Sequence, residues 1–493
     1  MAEEVTEGRA PEAGIGLRPA ARLASLLERH QAGLVAAAFA VATFLVYRLL
    51  GPPTTAYNNF VRLADSLLDG RIDIANGDML GYIEFAIRDG EYYVIPPPWP
   101  AIVVLPGVAL FGLALNQTLV STVLGAINAS VVSNVVRSST QRFSAQIWLT
   151  VLFLFGTVYW YAASNGGVWF FSHTVAVLFL FFAIYFTIVR SNPLMAGLCL
   201  GAAYWTRQPI ILAFPFFLIM FSDRWLPAAE GRPLLKRIDW APLAQLGAGL
   251  GAFVLLSFVY NYMRFGTPLD ASQHHLPESV LAQPWFNHGP FDPRYVSRHV
   301  AIAFEGMPVV RSQAPYVLSN LNGMAIWVTT PAFFYALFNG VRDRRLIGLG
   351  VVLIVLATGL LVSRAVAGYW GYDWATQTFP NGINLLPFYF LIGLAIWAGR
   401  KDKLVMACWA AIIPTALMLF TFAGTGFSQF GYRFSLDFMP FLFLLTARAM
   451  GDELKWHHKS LIGLSVLVNM AGVLWTYQFE RYHTFGVERW TSF

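Results

Sequence analysis

The chain has 493 residues, of which 57 % are hydrophobic, 16 % aromatic and only 12 % charged, roughly half the charged fraction of a soluble domain. That composition excludes a soluble globular surface. The formal charge of +6 is spread over short connections between apolar runs and forms no single basic stripe, which argues against nucleic-acid binding. The two cysteines, Cys199 and Cys408, each lie inside an apolar run, so neither a disulfide framework nor a paired-cysteine metal site is available and both read as packing residues.

In chain order, residues 1–31 are polar and carry Arg9, Arg18, Arg22 and Arg29. With no short apolar core and no small-residue cleavage site after one, this segment reads as a cytoplasmic N-terminus ahead of a retained anchor. Apolar runs near the ~20 residues that cross a bilayer then predict spans near 32–50, 118–136, 145–163, 171–189, 194–206, 209–222, 243–262, 324–340, 346–363, 382–398, 403–423, 437–450 and 460–477. The expected fold is therefore an all-α polytopic membrane protein with about thirteen spans, and residues 32–493 form one transmembrane domain. Connections holding Arg137, Arg142, Arg190, Arg224, Arg232, Lys236, Arg237, Arg342, Arg344, Arg345, Arg400, Lys401, Lys403, Arg448, Lys455 and Lys459 fall on the N-terminal side, whereas the short opposite connections carry only Arg207, Arg364 and Arg433. The positive-inside rule then puts the N-terminus in the cytoplasm and two large regions, 51–117 and 263–323, outside. The Pro-interrupted run 96–115 is predicted not to cross, because counting it as a span would reverse that parity; it reads as an interfacial or re-entrant helix of the first outer region.

Within that region, TAYNNFVRLADSLLDGR (55–71) places Phe60, Leu63, Ala64, Leu67 and Leu68 at helical spacing and Asn58, Arg62, Asp65 and Asp69 on another face. This predicts an amphipathic helix on the outer membrane surface, with Arg62 and Asp65 one turn apart, either as a functional pair or as a pair that only holds itself in shape. Glu84 is the next acidic candidate, flanked by Tyr82, Phe85, Tyr92 and Tyr93, while Asp89, Gly90 and Glu91 read as a turn. His173 falls just inside the fourth span, as a substrate contact or as a hydrogen-bonding core residue. Arg207, Arg364 and Arg433 are cations at outer span ends that otherwise avoid them; each could clamp a phosphate bidentately or simply snorkel or pair, Arg433 with Asp437 for example. His274 has Asp270 four residues before and Glu278 four after, but Pro277 argues for a loop, and no metal or other cofactor is assigned. No nucleotide-cradling glycine motif occurs on the inner side, so an activated substrate drawn from the bilayer is expected.

The motifs YNNFVRLADSLLDGRIDI, EYYVIPPPWPAIVVLPGVALFG, FGTVYWYAASNGGVWFFSHTVAVLF, YWTRQPIILAFPFF and QFGYRFSLDFMPFLFLL, spread over 57–445, resemble the GT-C superfamily of membrane glycosyltransferases, in particular the bacterial relatives of protein O-mannosyltransferases and lipid A aminoarabinose transferases. The resemblance implies a GT-C-like fold with interfacial helices in the first outer loop, a bacterial inner-membrane location, a polyprenyl-phosphate sugar as donor, an extracytoplasmic glycan, lipid or protein as acceptor, and an inverting displacement. It also implies a catalytic carboxylate in the first outer loop, carried over here to Asp65 or Glu84, and substrate contacts from Asn58, Arg62, His173, Arg207, Arg364, Tyr432 and Arg433. Many relatives have an Asp-Glu pair just after the first span, where this chain has Ala56 and Tyr57; the second acidic position of many relatives is occupied by the neighbourhood of His173. The competing expectations are a flippase or transporter for a lipid-linked sugar, which would need charges at the bilayer midplane and matching halves, and an O-antigen polymerase or ligase, in which 263–323 would carry the essential residues.

Overall fold

The structure, a computed structural model, describes residues 19–75, 77, 85–227, 237–312, 316–320, 322–368, 386–426 and 428–478. The segment 1–18, Arg232, Lys236 and Glu84 lie outside the described residues.

The fold is all-helical apart from two small hairpins, as the apolar runs require: in a bilayer a backbone must satisfy its own polar groups. Helix α1 (Pro19–Leu50) stops at Gly51, where a side chain would meet the carbonyls of Tyr47 and Ser164. Next comes α2 (Asn59–Leu68), whose buried face is Phe60, Val61, Leu63 and Ala64, close to the predicted one. Gly70, at φ +74°, ends it. Strands β1 (Phe85–Arg88) and β2 (Glu91–Val94) pair antiparallel with Arg88 opposite Glu91. The two turn residues Asp89 and Gly90 both have positive φ, as a tight hairpin turn requires.

Helix α3 (Trp99–Phe111) has thirteen residues with Pro106 inside it. At 1.5 Å per residue it is roughly 20 Å long, short of the ~30 Å hydrocarbon core, and it packs on α2. The main bundle continues through α4 (Gln117–Ser139), α5 (Phe143–Phe155), α6 (Tyr159–Ala163), α7 (Val168–Ile188), α8 (Pro193–Tyr204), α9 (Phe214–Met220) and α10 (Trp240–Phe265). After the late outer region, which contains α11 (Val296–Val300), it resumes with α12 (Arg344–Val366), α13 (Leu386–Gly399), α14 (Lys403–Phe420), α15 (Met439–Met450) and α16 (Trp456–Tyr477).

Seven described helices are long and apolar enough to cross a membrane: Gln31–Leu50, Gln117–Ser139, Val168–Ile188, Trp240–Phe265, Arg344–Val366, Lys403–Phe420 and Trp456–Tyr477. The chain is an all-α polytopic membrane protein. Of the six other predicted spans, the run at 382–398 begins outside the described residues and the other five are shorter or broken. The run at 145–163 breaks at Gly156, where a Cβ would lie 2.8 Å from the Leu152 carbonyl. The run at 209–222 is a 3-10 turn (Gln208–Ala213) continued by α9. The run at 324–340 is split by Pro331 into Ile326–Thr329 and a 3-10 segment, Pro331–Phe338. The freed backbone groups there are met from α16: Asn469 Nδ2 donates to the Thr329 carbonyl at 2.7 Å, and Ser465 Oγ accepts from the Ala332 N–H at 3.2 Å. This is how a broken helix is tolerated inside a membrane bundle.

Polar contacts gather the helix ends into two sets. At one end, Gln478 donates to the Leu50 carbonyl at 3.0 Å and the Tyr477 hydroxyl to the Tyr161 carbonyl at 2.9 Å. At the other, Arg142 pairs with Glu453, Lys403 with Asp223 at 2.6 Å and Arg448 with Asp402 at 2.7 Å. The second set belongs to the connections rich in basic residues.

Helices α8 and α10 approach through glycines, the small-residue contact by which membrane helices pack closely. A Cβ at Gly249 would lie 2.5 Å from the Leu198 backbone nitrogen, whereas one at Gly247, on the same helix, meets nothing within 4 Å. Thermal unfolding in detergent is therefore expected to show Gly249→Ala destabilised by about 1–3 kcal/mol. Gly247→Ala should be neutral or gain up to about 1 kcal/mol from helix propensity.

Candidate functional site

The site is organised by the 3-10 turn Arg433–Asp437, which leads into α15. Its approach is fixed from both sides. The Met324 N–H donates to the Phe430 carbonyl at 3.1 Å and the Tyr432 N–H to the Met324 carbonyl at 3.0 Å. The Gln429 side chain accepts from the Arg433 N–H at 3.0 Å and donates to the carbonyls of Thr425 and Asn322 at 2.9 Å each.

The turn delivers Asp437, fully buried, to a position where Oδ1 accepts from Arg207 Nε at 2.5 Å. His173 Nδ1, from α7, lies 3.2 Å from the same oxygen, in electrostatic contact but without hydrogen-bond alignment. The sequence pairing of Arg433 with Asp437 is thus corrected: Asp437 pairs with Arg207 and faces His173. The reason is geometric, since residues four apart stack on an α-helix but diverge by about a third of a turn on a 3-10 helix.

Arg207 follows α8 and is held by its Nε alone. Its side chain is 17 % exposed, and among the described residues its two terminal nitrogens make no hydrogen bond. The ring of Phe434 lies beneath: the Arg207 guanidinium carbon is 5.4 Å from its centroid and that of Arg433 is 5.6 Å away. Arg433 also lies over Phe170 of α7 at 5.1 Å. Two guanidinium groups therefore share one aromatic neighbour, each within cation–π reach of its ring.

Residues of the 263–323 segment close this shell. His299 on α11 stacks on Phe434 with centroids 6.1 Å apart. Its Nε2 is 2.8 Å from the Phe422 carbonyl and its Nδ1 2.8 Å from the Tyr432 hydroxyl. A carbonyl only accepts, so Nε2 carries the proton and the Tyr432 hydroxyl donates to Nδ1. Burial pushes the His299 pKa down to about 3, against the Phe422 carbonyl that favours the charged form.

Of the predicted site residues, His173, Arg207, Tyr432 and Arg433 come together here. Asn58, Arg62 and Asp65 lie on or just before α2, which is docked against the start of α7: the Val168 N–H donates to the Tyr57 carbonyl at 3.0 Å, Gln117 Oε1 accepts from the Val61 N–H at 3.1 Å, and the Gln117 amide donates to the Gly166 carbonyl. Arg62 Nε donates to Asn58 Oδ1 at 3.0 Å. It forms no pair with Asp65, which is half-buried and has no ion-pair partner among the described residues. Arg364 is not part of the Phe434 cluster; it is half-buried on α12, in the electrostatic reach of Glu305. The Asp270 carboxylate faces Arg264 Nη2 at 3.6 Å, and among the described residues no group of three or more His, Cys, Asp or Glu is arranged to hold a metal ion. Sequence reasoning did not assign roles to Phe434, His299 or Glu305. For Glu305 the signal was available: a lone carboxylate in the apolar run IAFEGM.

These features define a polytopic membrane protein with a buried, cation-rich cluster at the end of the bundle away from its basic connections. No family model matches the chain, and no curated protein matches it. Among solved structures it is similar to ArnT from Cupriavidus metallidurans bound to undecaprenyl phosphate, with a TM-score of 0.35 and 12 % sequence identity over 90 % of this chain and 78 % of that one.

The His299 geometry gives a signed pH dependence. A histidine held neutral in the folded state, with an ordinary pKa of 6.5 once unfolded, stabilises the fold above pH 6.5 and loses that contribution as pH falls toward 3, by about 1.4 kcal/mol per pH unit. His299→Gln, which can keep one donor and one acceptor, is expected to remove this component. Unfolding temperatures of the two proteins should converge or cross as pH is lowered from 7 to 4.

Proposed function

We propose that this protein is a glycosyltransferase that moves a sugar from a polyprenyl-phosphate carrier to a glycan, lipid or protein acceptor on the extracytoplasmic face of the bacterial inner membrane. The observation that carries the proposal is Arg207. A buried carboxylate grips its Nε, and among the described residues the terminal fork of this partly exposed side chain makes no hydrogen bond, which leaves it able to take a phosphate bidentately. Arg433 across the Phe434 ring supplies the second positive charge.

In this reading the donor phosphate rests on Arg207 and Arg433, with His173 and Tyr432 beside it. The acceptor hydroxyl attacks the anomeric carbon and gives its proton to a carboxylate of the first outer loop, Asp65 or Glu84. The new glycosidic bond forms as the bond from that carbon to the phosphate oxygen breaks with inversion. The electron pair leaves with the polyprenyl phosphate, whose added charge the two arginines stabilise. Arg62 sits one turn from Asp65 on α2 and Asn58 just before that helix, and both would contact the sugar or the acceptor. The basic connections at the opposite end of the bundle support the extracytoplasmic placement.

The test is equilibrium binding of a radiolabelled polyprenyl-phosphate sugar to protein in lipid nanodiscs. Arg207→Ala and Arg433→Ala should each weaken binding at least about tenfold, as expected for loss of a charge-assisted phosphate contact. Asp65→Asn or Glu84→Gln should leave binding intact and abolish release of the sugar from its carrier. Unchanged binding in both arginine variants would overturn the phosphate assignment, and movement of the labelled lipid across the bilayer without cleavage would replace transfer by transport.

A further inference from the structure

A second buried charge lies in the late outer region, apart from the Phe434 cluster. Helix α11 widens into a π-turn, Ala301–Glu305, a geometry that occurs mostly as single turns and frequently at functional positions. Glu305 at its end is 1 % exposed, and among the described residues neither of its carboxylate oxygens is hydrogen bonded. Such a group is costly to bury, so its presence in an apolar setting calls for an explanation. Two hydrogen bonds beside it tie the returning chain to the turn: the Ala325 N–H donates to the Gly306 carbonyl at 2.8 Å, and Trp327 Nε1 to the Phe304 carbonyl at 2.6 Å. The crossing is close enough that a Cβ on Gly306 would lie 2.6 Å from the Gly323 carbonyl.

Among the described residues, Arg364 on α12 and the Tyr389 hydroxyl on α13 are the titratable groups that act on Glu305 or respond to it. On α11, Arg298 donates to the carbonyls of Trp285 and Ala423, and His299 is bonded to Tyr432 and Phe422. The Ile326–Thr329 helix and the short strands Val309–Val310 and Val317–Leu318 carry no titratable side chain. Burial pushes the Glu305 pKa up to about 7, against the pull of the Arg364 guanidinium.

We propose that Glu305 is a proton-operated latch of the late outer region. Protonated, it lets the π-turn stay packed against α12 and α13. Ionised, it draws the turn toward water and loosens the Gly306–Ala325 and Phe304–Trp327 hydrogen bonds. The inference goes beyond the transferase reading and involves no donor or acceptor. The sign follows from linkage: a carboxyl released to water has the ordinary value of 4.5, so the closed form holds its proton more tightly. Closure is complete at low pH, and opening rises roughly tenfold per pH unit from about 4.5 to about 7, then levels off.

The test is amide hydrogen exchange at Ala325 in the full chain, reconstituted in nanodiscs, from pH 5 to 8.5. Wild type is measured beside Glu305→Gln, so that their ratio cancels the intrinsic pH dependence of exchange. The ratio should rise roughly 40-fold between pH 5 and 7 and level off above about 8. A ratio constant across the range overturns the proposal. Should Glu305→Gln not fold, Arg364→Met replaces it. Removing the cation that favours the ionised form should move the step in wild-type exchange to higher pH, and an unmoved step overturns the latch.

Discussion

A carboxylate sealed inside an apolar bundle persists only if something compensates its charge, and Asp437 is that carboxylate here. Its compensation comes from Arg207 at 2.5 Å, with the His173 ring 3.2 Å from the same oxygen. These three residues come from the turn before α15, the end of α8 and the first turns of α7, so the ion pair fixes how three helix ends meet. Breaking it from either side leaves an uncompensated buried charge, which typically costs about 3–5 kcal/mol. The same constraint produces the feature that reads as function. Because Asp437 takes only the Nε of Arg207, the terminal fork is aimed away from the core with its orientation already set, and little rotamer freedom remains to be lost when an anion arrives.

Around that pair the architecture is a set of braces. The first outer region is held at its start by Gln117, which bridges the backbones of Val61 and Gly166. It is held at its end by Arg264, which is fully buried, donates to the Val94 carbonyl at 2.9 Å and stacks on Tyr260 and Phe265. Arg88 answers by donating to the Arg264 carbonyl at 3.0 Å. Asp65 is thereby carried on a helix whose apolar face is packed on α3 and whose N-terminal end abuts α7, the helix that also carries His173 and Phe170. The late outer region is braced in turn through His299, Phe422 and Tyr432. The first region thus docks on the start of α7, and residues 263–323 dock on the approach to the Arg433–Asp437 turn.

Much of this was legible in the sequence, and what was not has identifiable causes. Spans with uninterrupted apolar runs, such as α4, α7, α12 and α16, followed directly from hydropathy because lipid leaves no alternative to a helix. The runs at 145–163 and 324–340 read as single spans because hydropathy does not register that Gly156 and Pro331 break the ladder, nor that Ser465 and Asn469, over a hundred residues away, repair it. The amphipathic face of α2 and the Asp89-Gly90 turn were local and were found. Arg207, Arg433 and His173 were singled out because charge near an outer span end is expensive, but their convergence depended on tertiary packing. The pairing of Asp437 was misassigned because an α-helical spacing was applied to a 3-10 turn. Phe434, which underlies both guanidinium groups, gave no signal in an aromatic-rich chain.

The central claim is that the Arg207 fork, pinned by Asp437, receives a lipid phosphate. The most direct measurement is a structure of the protein with an undecaprenyl phosphate bound. The account predicts phosphate oxygens at about 2.7–2.9 Å from the terminal nitrogens of Arg207, with Arg433 on the other side of Phe434 and the Asp437–Nε contact kept. A phosphate seated instead beside Arg364, or an Arg207 fork turned inward onto protein carbonyls, would contradict it.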